Sequence, residues 1–333
     1  MTSSGTRPRR VTIDDVARSA GVSRQTVSRA LNDKDEIGVA TKQRVLDAAH
    51  ALGYRPSRFA RGLVRQDTIS VGLVIPDLLN PFFTEVAAAS LDAARARGWH
   101  VVVCDTGDRV EEERGTLEAI TSQVDAVVGY LSLAEEEIDR LTRGLPVVLI
   151  DREHPSERFS TIRIDGQQGI ASAIGHLTAA GHRHIGMLDH AGRFEPSKRH
   201  DWFAAAMNAH GLDPHAVHRA DQSVDGGENA LKSLLTHHPG ITALFTFNDI
   251  IAIGALRGAR RLGRQVPHDL AIIGFDGLQL GSLVDPPLTT VALDTRELGA
   301  LAVEQAARLL TRSPGLSKDE MIVHGKLQLR ESA

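Results

Sequence analysis

Residues 11–32, VTIDDVARSAGVSRQTVSRALN, contain the signals of two short helices joined by a tight turn. The first helix is predicted from apolar residues at i, i+3, i+4 and i+7, namely Ile13, Val16, Ala17 and Ala20. Gly21 can adopt the positive φ that commonly ends a helix, and Ser23 is a good N-cap for the second helix. Two short helices joined by a glycine-containing turn are typical of a helix-turn-helix.

The outward face of the second helix carries side chains that suit contacts with DNA, namely Arg24, Gln25, Thr26, Ser28 and Arg29. An arginine can donate two hydrogen bonds to guanine, and a glutamine can pair with adenine, in the major groove. Hydroxyl groups suit the phosphate oxygens. A polar, basic face is also typical of any surface helix, so this pattern alone leaves both interpretations open.

Charge is distributed unevenly along the 333 residues, whose formal net charge is only −4. The first 65 residues, the basic head, contain 13 Lys and Arg and 6 Asp and Glu, a net charge of +7. The other 268 residues, the acidic body, contain the remaining 25 basic and 36 acidic residues, a net charge of −11. A basic end on an acidic protein is typical of a chain whose partner is a polyanion.

Several protein classes are disfavoured by simple sequence features. Cys104 is the single cysteine, so no intrachain disulfide can form. Residues 1–10 lack the apolar stretch of a signal peptide, and no run of about 18 apolar residues occurs, so we expect a cytoplasmic protein without a membrane segment. The histidine pairs 182/184 and 237/238 have no partners at metal-ligand spacing, and no dinucleotide, Walker A, nucleophile-elbow or HExxH motif occurs. We therefore expect neither a metal nor a cofactor, and no enzymatic activity.

Three further segments complete the basic head and connect it to the acidic body. Residues 1–10 are polar and are predicted to form a disordered arm. A third helix is predicted from about residue 40 to 52, with its inward side chains being Val45, Leu46, Ala49 and Leu52. Pro56 ends the headpiece, residues 11–56, because proline disfavours helix in the preceding residue. Residues 57–63 are too few for a stable isolated helix, so residues 57–68 are interpreted as a hinge helix and linker, with a plain linker as the alternative.

Residues 11–32 and residues 44–56, RVLDAAHALGYRP, resemble the headpiece of the LacI/GalR family of repressors. The resemblance implies that bases are contacted by Arg24, Gln25 and Arg29. It implies that the DNA backbone is contacted by Thr12, Ser23, Thr26, Ser28 and Asn32. One departure is Gly38, where the family often has serine as the N-cap of the third helix; glycine is a tolerable cap.

The same resemblance gives the hinge a role on DNA. It implies a hinge helix that folds on the operator, with Ser57 near its cap and Ala60 facing the partner hinge or the groove. Leu63 would then wedge between base pairs in the minor groove, as apolar side chains of other minor-groove binders do. Gly62 departs from the more helix-favouring residues usual at this point, which weakens the predicted hinge helix.

From residue 69 onward, apolar runs of strand length alternate with amphipathic helices. The predicted strands are residues 69–75, 100–104, 126–130, 147–150, 161–164, 184–188, 243–247 and 270–275. The predicted helices lie near residues 81–97, 111–123, 167–180, 197–210, 225–235, 249–262 and 296–310. Such alternation predicts parallel sheets. Two sheets would form two lobes, with a ligand cleft at the carboxyl ends of their strands, although this fold alone does not determine function.

The acidic body resembles the effector domain of the same family, which shares the two-lobed α/β fold of periplasmic binding proteins. The resemblance rests on the motifs at residues 74–83, 181–186, 247–255 and 273–276. It implies an N-lobe of about residues 69–160 and 290–318, and a C-lobe of about residues 161–289 and 319–330. The three crossovers between lobes are then expected near residues 151–164, 275–290 and 318–324. The predicted fold class is an all-α helix-turn-helix headpiece followed by this two-lobed domain.

The resemblance also implies an effector pocket between the lobes. Its candidate residues are Phe82, Phe83, Asp151, Arg152, Arg193, Glu195, Arg199, Gln222, Asn248 and Asp276. Aromatic rings can stack on a sugar or base, and carboxylates and amides suit the hydroxyls of a sugar or nucleoside. An anionic ligand would instead be bound by the arginines. Trp202 must either fill space between the lobes or enter the cleft, and Gln222 stands where the family often has an aromatic ring.

These features predict a ligand-responsive, sequence-specific DNA-binding regulator, most simply a repressor. A homodimer would present two identical headpieces to a pseudo-palindromic operator in double-stranded DNA. The sequence to residue 333 contains no C-terminal heptad segment, so we expect a dimer rather than a tetramer. The alternatives are a regulator controlled by a protein partner, an enzyme on the same fold, and a sugar-binding transport protein. The transport protein would need a signal peptide and no basic head.

Overall fold

The structure is a computed structural model that describes residues 13–31, 38–52, 68–152, 156–190, 196–311 and 320–333. The chain divides into two compact units, Met1–Thr68 and Ile69–Ala333, and each is described by itself. Several predicted features lie outside the described residues. They are the arm 1–10, nearly all of the hinge, and Thr12, Asn32, Ser57, Ala60, Leu63, Arg193 and Glu195.

Three helices form the first unit: α1 (Ile13–Ala20), α2 (Arg24–Leu31) and α3 (Val39–Ala51). Gly21, at φ 65°, occupies the turn between α1 and α2, where a side chain would be strained. The Ser23 hydroxyl accepts a hydrogen bond from the Thr26 backbone N–H at 3.1 Å and so caps α2.

The core of this unit is built from small and β-branched side chains. Its buried members are Val16, Ala17, Ala20, Val27, Ala30, Val45 and Ala49. Leu46 and Leu52 were predicted to face inward, but each is 37% exposed. The inner face of α3 is centred on Val45 and Ala49, four residues apart, and neighbouring positions turn toward its flanks.

The N-lobe of the second unit contains a six-stranded parallel sheet. Its first elements in chain order are β1 (Ser70–Ile75), α4 (Pro81–Arg95), β2 (His100–Asp105), α5 (Val110–Ile120), β3 (Ala126–Gly129), α6 (Glu135–Thr142), β4 (Val147–Ile150) and β5 (Ser160–Asp165). Two later elements complete it, α11 (Thr295–Thr311) and β11 (Glu320–His324). The strand order is β11-β5-β4-β3-β1-β2.

The C-lobe contains a second six-stranded sheet. Its elements are α7 (Gln167–Ala179), β6 (Ile185–His190), α8 (Lys198–Ala209), β7 (Val217–Ala220), α9 (Val224–His237), β8 (Ala243–Thr246), α10 (Asp249–Arg261), β9 (Ala271–Asp276), β10 (Thr289–Ala292) and β12 (Lys326–Gln328). The strand order is β12-β10-β9-β8-β6-β7, parallel except for the antiparallel pair β10–β12. Central strands such as β3, β4 and β9 are buried along their whole length, which explains their uninterrupted apolar sequences.

The lobe boundaries differ from those predicted. Strand β5 (160–165) pairs with β4 in the N-lobe, β10 (289–292) pairs with β9 in the C-lobe, and β11 (320–324) pairs with β5 in the N-lobe. The crossovers therefore lie at Gly166, at residues 293–294 and at Gly325, rather than within 151–164, 275–290 and 318–324. Hydrophobic periodicity identifies a strand but does not reveal which sheet the strand joins.

Two of the crossovers are glycines because they lie side by side against packed side chains. A Cβ at Gly166 would stand 2.6 Å from the Phe275 ring, and a Cβ at Gly325 would stand 2.8 Å from Val291 and 3.4 Å from the Gly166 Cα. The Gly325 N–H donates to the Asp165 carbonyl at 2.8 Å. The two lobes are therefore joined there by closely packed main chain.

In the part of the chain that the structure describes, no helix is long and apolar enough to cross a membrane.

Candidate functional site

The first candidate site is the outward face of α2 in the headpiece. The side chains of Arg24, Gln25 and Arg29 are exposed there, and Thr26 is half-buried, with its hydroxyl 2.9 Å from that of Ser23. Ser28 lies within the same helix. The basic and amide groups of the predicted base-reading set are thus presented by one short helix, the geometry that major-groove recognition requires.

The second candidate site, the cleft, lies between the two lobes at the carboxyl ends of the parallel strands. It encloses a cavity of about 220 Å³. Its lining residues are Asp108, Ser132, Asp151, Arg152, Ile164, His190, Ser197, Lys198, Arg199, Trp202 and Phe247. Both lobes contribute to this list, so a molecule in the cavity would contact both and would sense their relative position.

Arg199, on the first turn of α8, is the most heavily anchored side chain of the cleft. Its guanidinium lies between two rings, 4.3 Å from the Phe247 centroid and 3.9 Å from that of Phe275. It donates a 2.5 Å hydrogen bond to the Phe247 carbonyl and lies 3.4 Å from the Asp276 carboxylate. Such cation–π contacts and a buried ion pair fix the guanidinium in one position.

Two carboxylates stand at the ends of strands from opposite lobes, Asp151 after β4 and Asp276 at the end of β9. Asp276 is buried, and this burial raises its pKa well above the usual range, although the Arg199 charge acts against that effect. Asp151 is open to solvent on the cavity side but is enclosed by protein elsewhere, and this desolvation raises its pKa. Both residues have positive φ, 48° for Asp151 and 123° for Asp276. Strained backbone of this kind clusters at functional sites.

Arg152 holds the segment that follows β3. Its Nη1 donates to the carbonyls of Leu131 and Leu133 at 3.1 and 3.0 Å. From below, the buried Glu113 carboxylate accepts hydrogen bonds from the backbone N–H groups of Ser132 and Leu133, each at 3.0 Å. The Arg152 guanidinium therefore stabilises the wall of the cleft, and a ligand that bound to it would compete with these two carbonyls.

A chain of polar side chains crosses the C-lobe wall of the cleft. The Asn248 amide Nδ2 donates to Gln222 Oε1 at 2.8 Å, and Gln222 Nε2 lies 3.2 Å from His190 Nε2. The His190 ring packs against Phe247 with their centroids 5.0 Å apart. Asn248, which is buried, and Gln222, which is exposed, are not among the residues that line the cavity, whereas His190 is. The two amides therefore affect the cavity through His190.

The two predicted phenylalanines differ in their positions. Phe82 is only 4% exposed and belongs to the core, so the expectation that it faces the cleft is wrong. Proline at residue 81 starts α4 with Asn80 as its N-cap, and this start turns Phe82 toward the sheet. Phe83 is half-buried, with its ring centroid 5.0 Å from that of Tyr130.

Trp202 lines the cavity, with the Lys198 ammonium 5.2 Å from its ring centroid. Its neighbour Phe203 lies in the core and stacks on Phe245. The Trp202 ring also packs at the Gly166 crossover, where a Cβ would stand 3.0 Å from it, so Trp202 both fills space between the lobes and enters the cleft. The cleft thus lacks an aromatic ring at Gln222, but Trp202 supplies one at a different point of the C-lobe.

Sequence reasoning missed several groups at the cleft, above all His190 and Tyr130. His190 ends β6 and Tyr130 directly follows β3. The rule that ligands bind at the carboxyl ends of parallel strands would have selected both. The Tyr130 hydroxyl is buried without a protein partner among the described residues, and burial raises its pKa well above the usual range.

Asp249, beneath the cleft, supports the turn that follows Asp276. Its carboxylate accepts hydrogen bonds from the backbone N–H groups of Gly277 and Leu278 at 3.0 and 2.8 Å, and from the Thr290 hydroxyl at 2.6 Å. Burial raises the pKa of Asp249 to about 6.

This raised pKa predicts a pH-dependent stability. The folded protein retains the Asp249 proton to higher pH than the unfolded chain, so the free energy of unfolding should fall as pH rises from about 4 to about 6. Relative to an Asp249→Asn variant, the protein should lose about 3 kcal/mol of stability across that range. Urea denaturation of both proteins at pH 4 and pH 7 measures this difference. The prediction would be wrong if the free energy of unfolding of the unaltered protein, relative to that of Asp249→Asn, stayed constant or rose between pH 4 and pH 7.

Within the described ranges, no group of three or more His, Cys, Asp or Glu side chains is arranged to hold a metal ion. Cys104 is half-buried, and burial raises the pKa of its thiol.

Comparison with known families matches both units. Residues 12–57 match the family "Bacterial regulatory proteins, lacI family", and residues 174–333 match the "Periplasmic binding protein-like domain". The first match covers the helix-turn-helix, and the second covers most of the C-lobe together with α11 and β11.

Individual proteins match along nearly the whole chain. The ribose operon repressor of Halalkalibacterium halodurans is 34% identical over 324 residues, 96% of each chain. A LacI family transcriptional regulator from Arthrobacter sp. FB24, crystallised with lactose, matches 80% of this chain and 100% of its own at 33% identity, with a TM-score of 0.74. The lac repressor dimer bound to operator and the anti-inducer ONPF matches 97% of this chain and 99% of its own at 26% identity, also with a TM-score of 0.74. The chain therefore belongs to the LacI family of bacterial transcriptional regulators.

Proposed function

We propose that this protein is a transcriptional repressor whose affinity for its operator is set by a small, neutral, polyhydroxylated metabolite bound in the cleft. It acts as a homodimer, in the cytoplasm where its DNA is, and it has no enzymatic activity. Two identical headpieces then bind a pseudo-palindromic operator in double-stranded DNA. The family relationship supports this function, and the related lac repressor is itself a dimer on operator DNA.

In the headpiece we propose that Arg24, Gln25 and Arg29 read bases, since they are exposed on one helix. The backbone contacts are assigned to Thr12, Ser23, Thr26, Ser28 and Asn32. In the hinge, Ser57, Ala60 and Leu63 are assigned contacts with the minor groove or with the partner hinge. These contacts neutralise phosphates, so operator affinity falls steeply with salt.

The single observation that supports a neutral ligand is the commitment of both arginines of the cleft. Arg199 is paired with Asp276 and the Phe247 carbonyl, and Arg152 is bonded to two backbone carbonyls. An anionic ligand bound by these arginines would have to displace those partners, and Lys198, the other cation of the described lining, lies over the Trp202 ring. A sugar can instead donate its hydroxyls to Asp151 and stack its ring face on Trp202. The regulator from Arthrobacter binds lactose and a further relative is named for ribose, which supports the sugar class.

The ligand controls DNA binding by preferring one arrangement of the lobes. Because the cavity is lined from both lobes, its occupant contributes binding free energy that differs between the two arrangements, and only this difference can shift their equilibrium. The crossovers at Gly166, residues 293–294 and Gly325 are where the chain passes between the moving parts. The change in lobe angle is then read by the paired hinges.

Two measurements on the full-length protein test this function. Selection from a random library of DNA duplexes should recover an inverted repeat, and a thermal-shift screen of sugars, nucleosides and sugar phosphates should find a ligand that raises the melting temperature. The neutral sugars or nucleosides should stabilise the protein more than their phosphates. Stabilisation by sugar phosphates alone would contradict the neutral-ligand proposal, and recovery of no common DNA sequence would contradict the regulator proposal.

A further inference from the structure

The polar chain Asn248–Gln222–His190 on the C-lobe wall has one donor-to-acceptor direction, and a backbone N–H sets it. The Ile251 backbone N–H donates to Asn248 Oδ1 at 2.9 Å. A backbone amide can only donate, so Oδ1 is the acceptor and Nδ2 of the same side chain is the donor. The Ile251 N–H, which can act only as a donor, therefore fixes which end of the Asn248 amide is oxygen and which is nitrogen.

This direction passes through Gln222 to His190. Because Asn248 Nδ2 donates, it meets Oε1 of Gln222, at 2.8 Å. The other end of the Gln222 amide is then the Nε2 donor, 3.2 Å from His190 Nε2. His190 Nε2 must accept this hydrogen bond, and a neutral imidazole that accepts at Nε2 carries its proton on Nδ1.

The proton that this chain places on Nδ1 has no protein partner within the part of the protein that the structure describes. Nδ1 of His190 is buried, and among the described residues nothing accepts from it. A buried N–H without an acceptor is costly and needs an explanation. The charged groups facing the ring are Asp108, Asp189, Asp221 and Arg199, and burial lowers the pKa of His190 despite the three carboxylates. The ring is therefore neutral at neutral pH, with one defined donor.

We propose that His190 is a specificity-determining residue of the cleft, whose Nδ1–H donates to a hydroxyl, ring or carbonyl oxygen of the bound metabolite. The inference rests on the proposed function and adds one requirement to it. The ligand must present an acceptor to the C-lobe wall as well as hydroxyl donors to Asp151. Cations, and ligands with only donors at this point, are rejected.

The same contact contributes to the regulation. Nδ1 is buried although the residue lines the cavity, so a ligand oxygen would reach it only after a small movement of the ring or of the wall. In our proposal the hydrogen bond is therefore made only in the conformation that exposes Nδ1. A contact of this kind is what a ligand needs in order to shift a conformational equilibrium.

The proton position can be measured without any ligand. In the full-length protein labelled with ¹⁵N-histidine, two-bond ¹H–¹⁵N correlation at pH 7.5 distinguishes the Nδ1–H and Nε2–H forms of each of the 15 histidines. The signals that disappear in a His190→Gln variant belong to His190 and should show the Nδ1–H form. A Gln222→Leu variant removes the fixed donor and should shift His190 toward the Nε2–H form. An Nε2–H form in the unaltered protein would overturn the inference.

The role in specificity is tested with lactose, ribose, cellobiose and the nucleosides as probes, by calorimetry. A probe that binds should lose about tenfold in affinity in a His190→Phe variant, which keeps the ring packing but not the donor. His182→Phe is the matched control. His182 lies just before the start of β6, whereas His190 is its last residue, and the Nδ1 atom of His182 lies 2.9 Å from the Thr242 hydroxyl. Equal affinity of the unaltered protein and His190→Phe would overturn the inference and leave the proposed function intact. If none of the probes bound, the result would count against the proposed function. The inference about His190 would then be decided by the ¹H–¹⁵N correlation, which needs no ligand.

Discussion

Replacing Arg199 with Ala is expected to abolish the effect of the ligand on operator binding and to weaken ligand binding at least about 100-fold, because a buried charged contact is worth several kcal/mol. The guanidinium fills the space between Phe247 and Phe275 and neutralises the buried Asp276. Its loss leaves that buried carboxylate without a cation, which favours protonation of Asp276, and removes the side chain that holds this wall of the cleft in place. The free energy of unfolding should fall by about 3 kcal/mol.

Calorimetry with the ligand and urea denaturation measure these two effects. An Arg199→Lys variant should recover part of the stability and little of the ligand binding, since lysine restores the charge but neither the flat stacking nor the multiple N–H donors. Arg183→Ala, which alters an exposed arginine of the same lobe, serves as the control and should bind ligand normally. If Arg199→Ala bound ligand as well as Arg183→Ala, Arg199 would not belong to the effector site.

The second large effect is expected at the DNA interface. Arg29→Ala should lower operator affinity by about 10- to 100-fold, because one bidentate contact with a guanine contributes about 1–3 kcal/mol of discrimination. Affinity for unrelated DNA should change much less, since a base contact carries sequence information that a phosphate contact lacks. Fluorescence anisotropy with operator and with scrambled duplex measures both quantities.

The headpiece itself supplies a matched control for Arg29. Arg18 is also an exposed arginine, on α1, where it forms an i,i+3 ion pair with Asp15. Arg18→Ala removes the same charge and should reduce operator and scrambled binding by a similar, small factor. If Arg29→Ala behaved in the same way as Arg18→Ala, the base-reading role of Arg29 would be wrong.

Much of the fold follows from local sequence patterns. The alternation of buried strands such as VVLI at 147–150 with amphipathic helices predicted eight of the twelve strands found in the described ranges, and Gly21 and Ser23 predicted the turn and cap of the headpiece. Helix α6 and strands β7, β10, β11 and β12 were not predicted. Strand β7 reads VHRA and lies at a sheet edge, where exposure removes the apolar pattern on which prediction depends.

The candidate site could be predicted only in part, for a related reason. Of the candidate effector residues, Asp151, Arg152 and Arg199 line the cavity, whereas Phe82 is buried in the core. The partnership of His190 with Gln222 joins residues 32 positions apart on neighbouring strand ends. Spacing along the chain contains no sign of such a contact, because it depends on which strands are adjacent in the sheet.

We propose above all that occupancy of the cleft controls the affinity of the headpieces for the operator. The most direct measurement is an anisotropy titration of a labelled operator with the full-length protein, with and without the ligand that raises its melting temperature. We expect saturating ligand to change the operator affinity at least about fivefold, the lower end of allosteric coupling, and we expect Arg199→Ala to bind operator but no longer respond. Equal operator affinity with and without a ligand that demonstrably occupies the cleft would contradict this proposal.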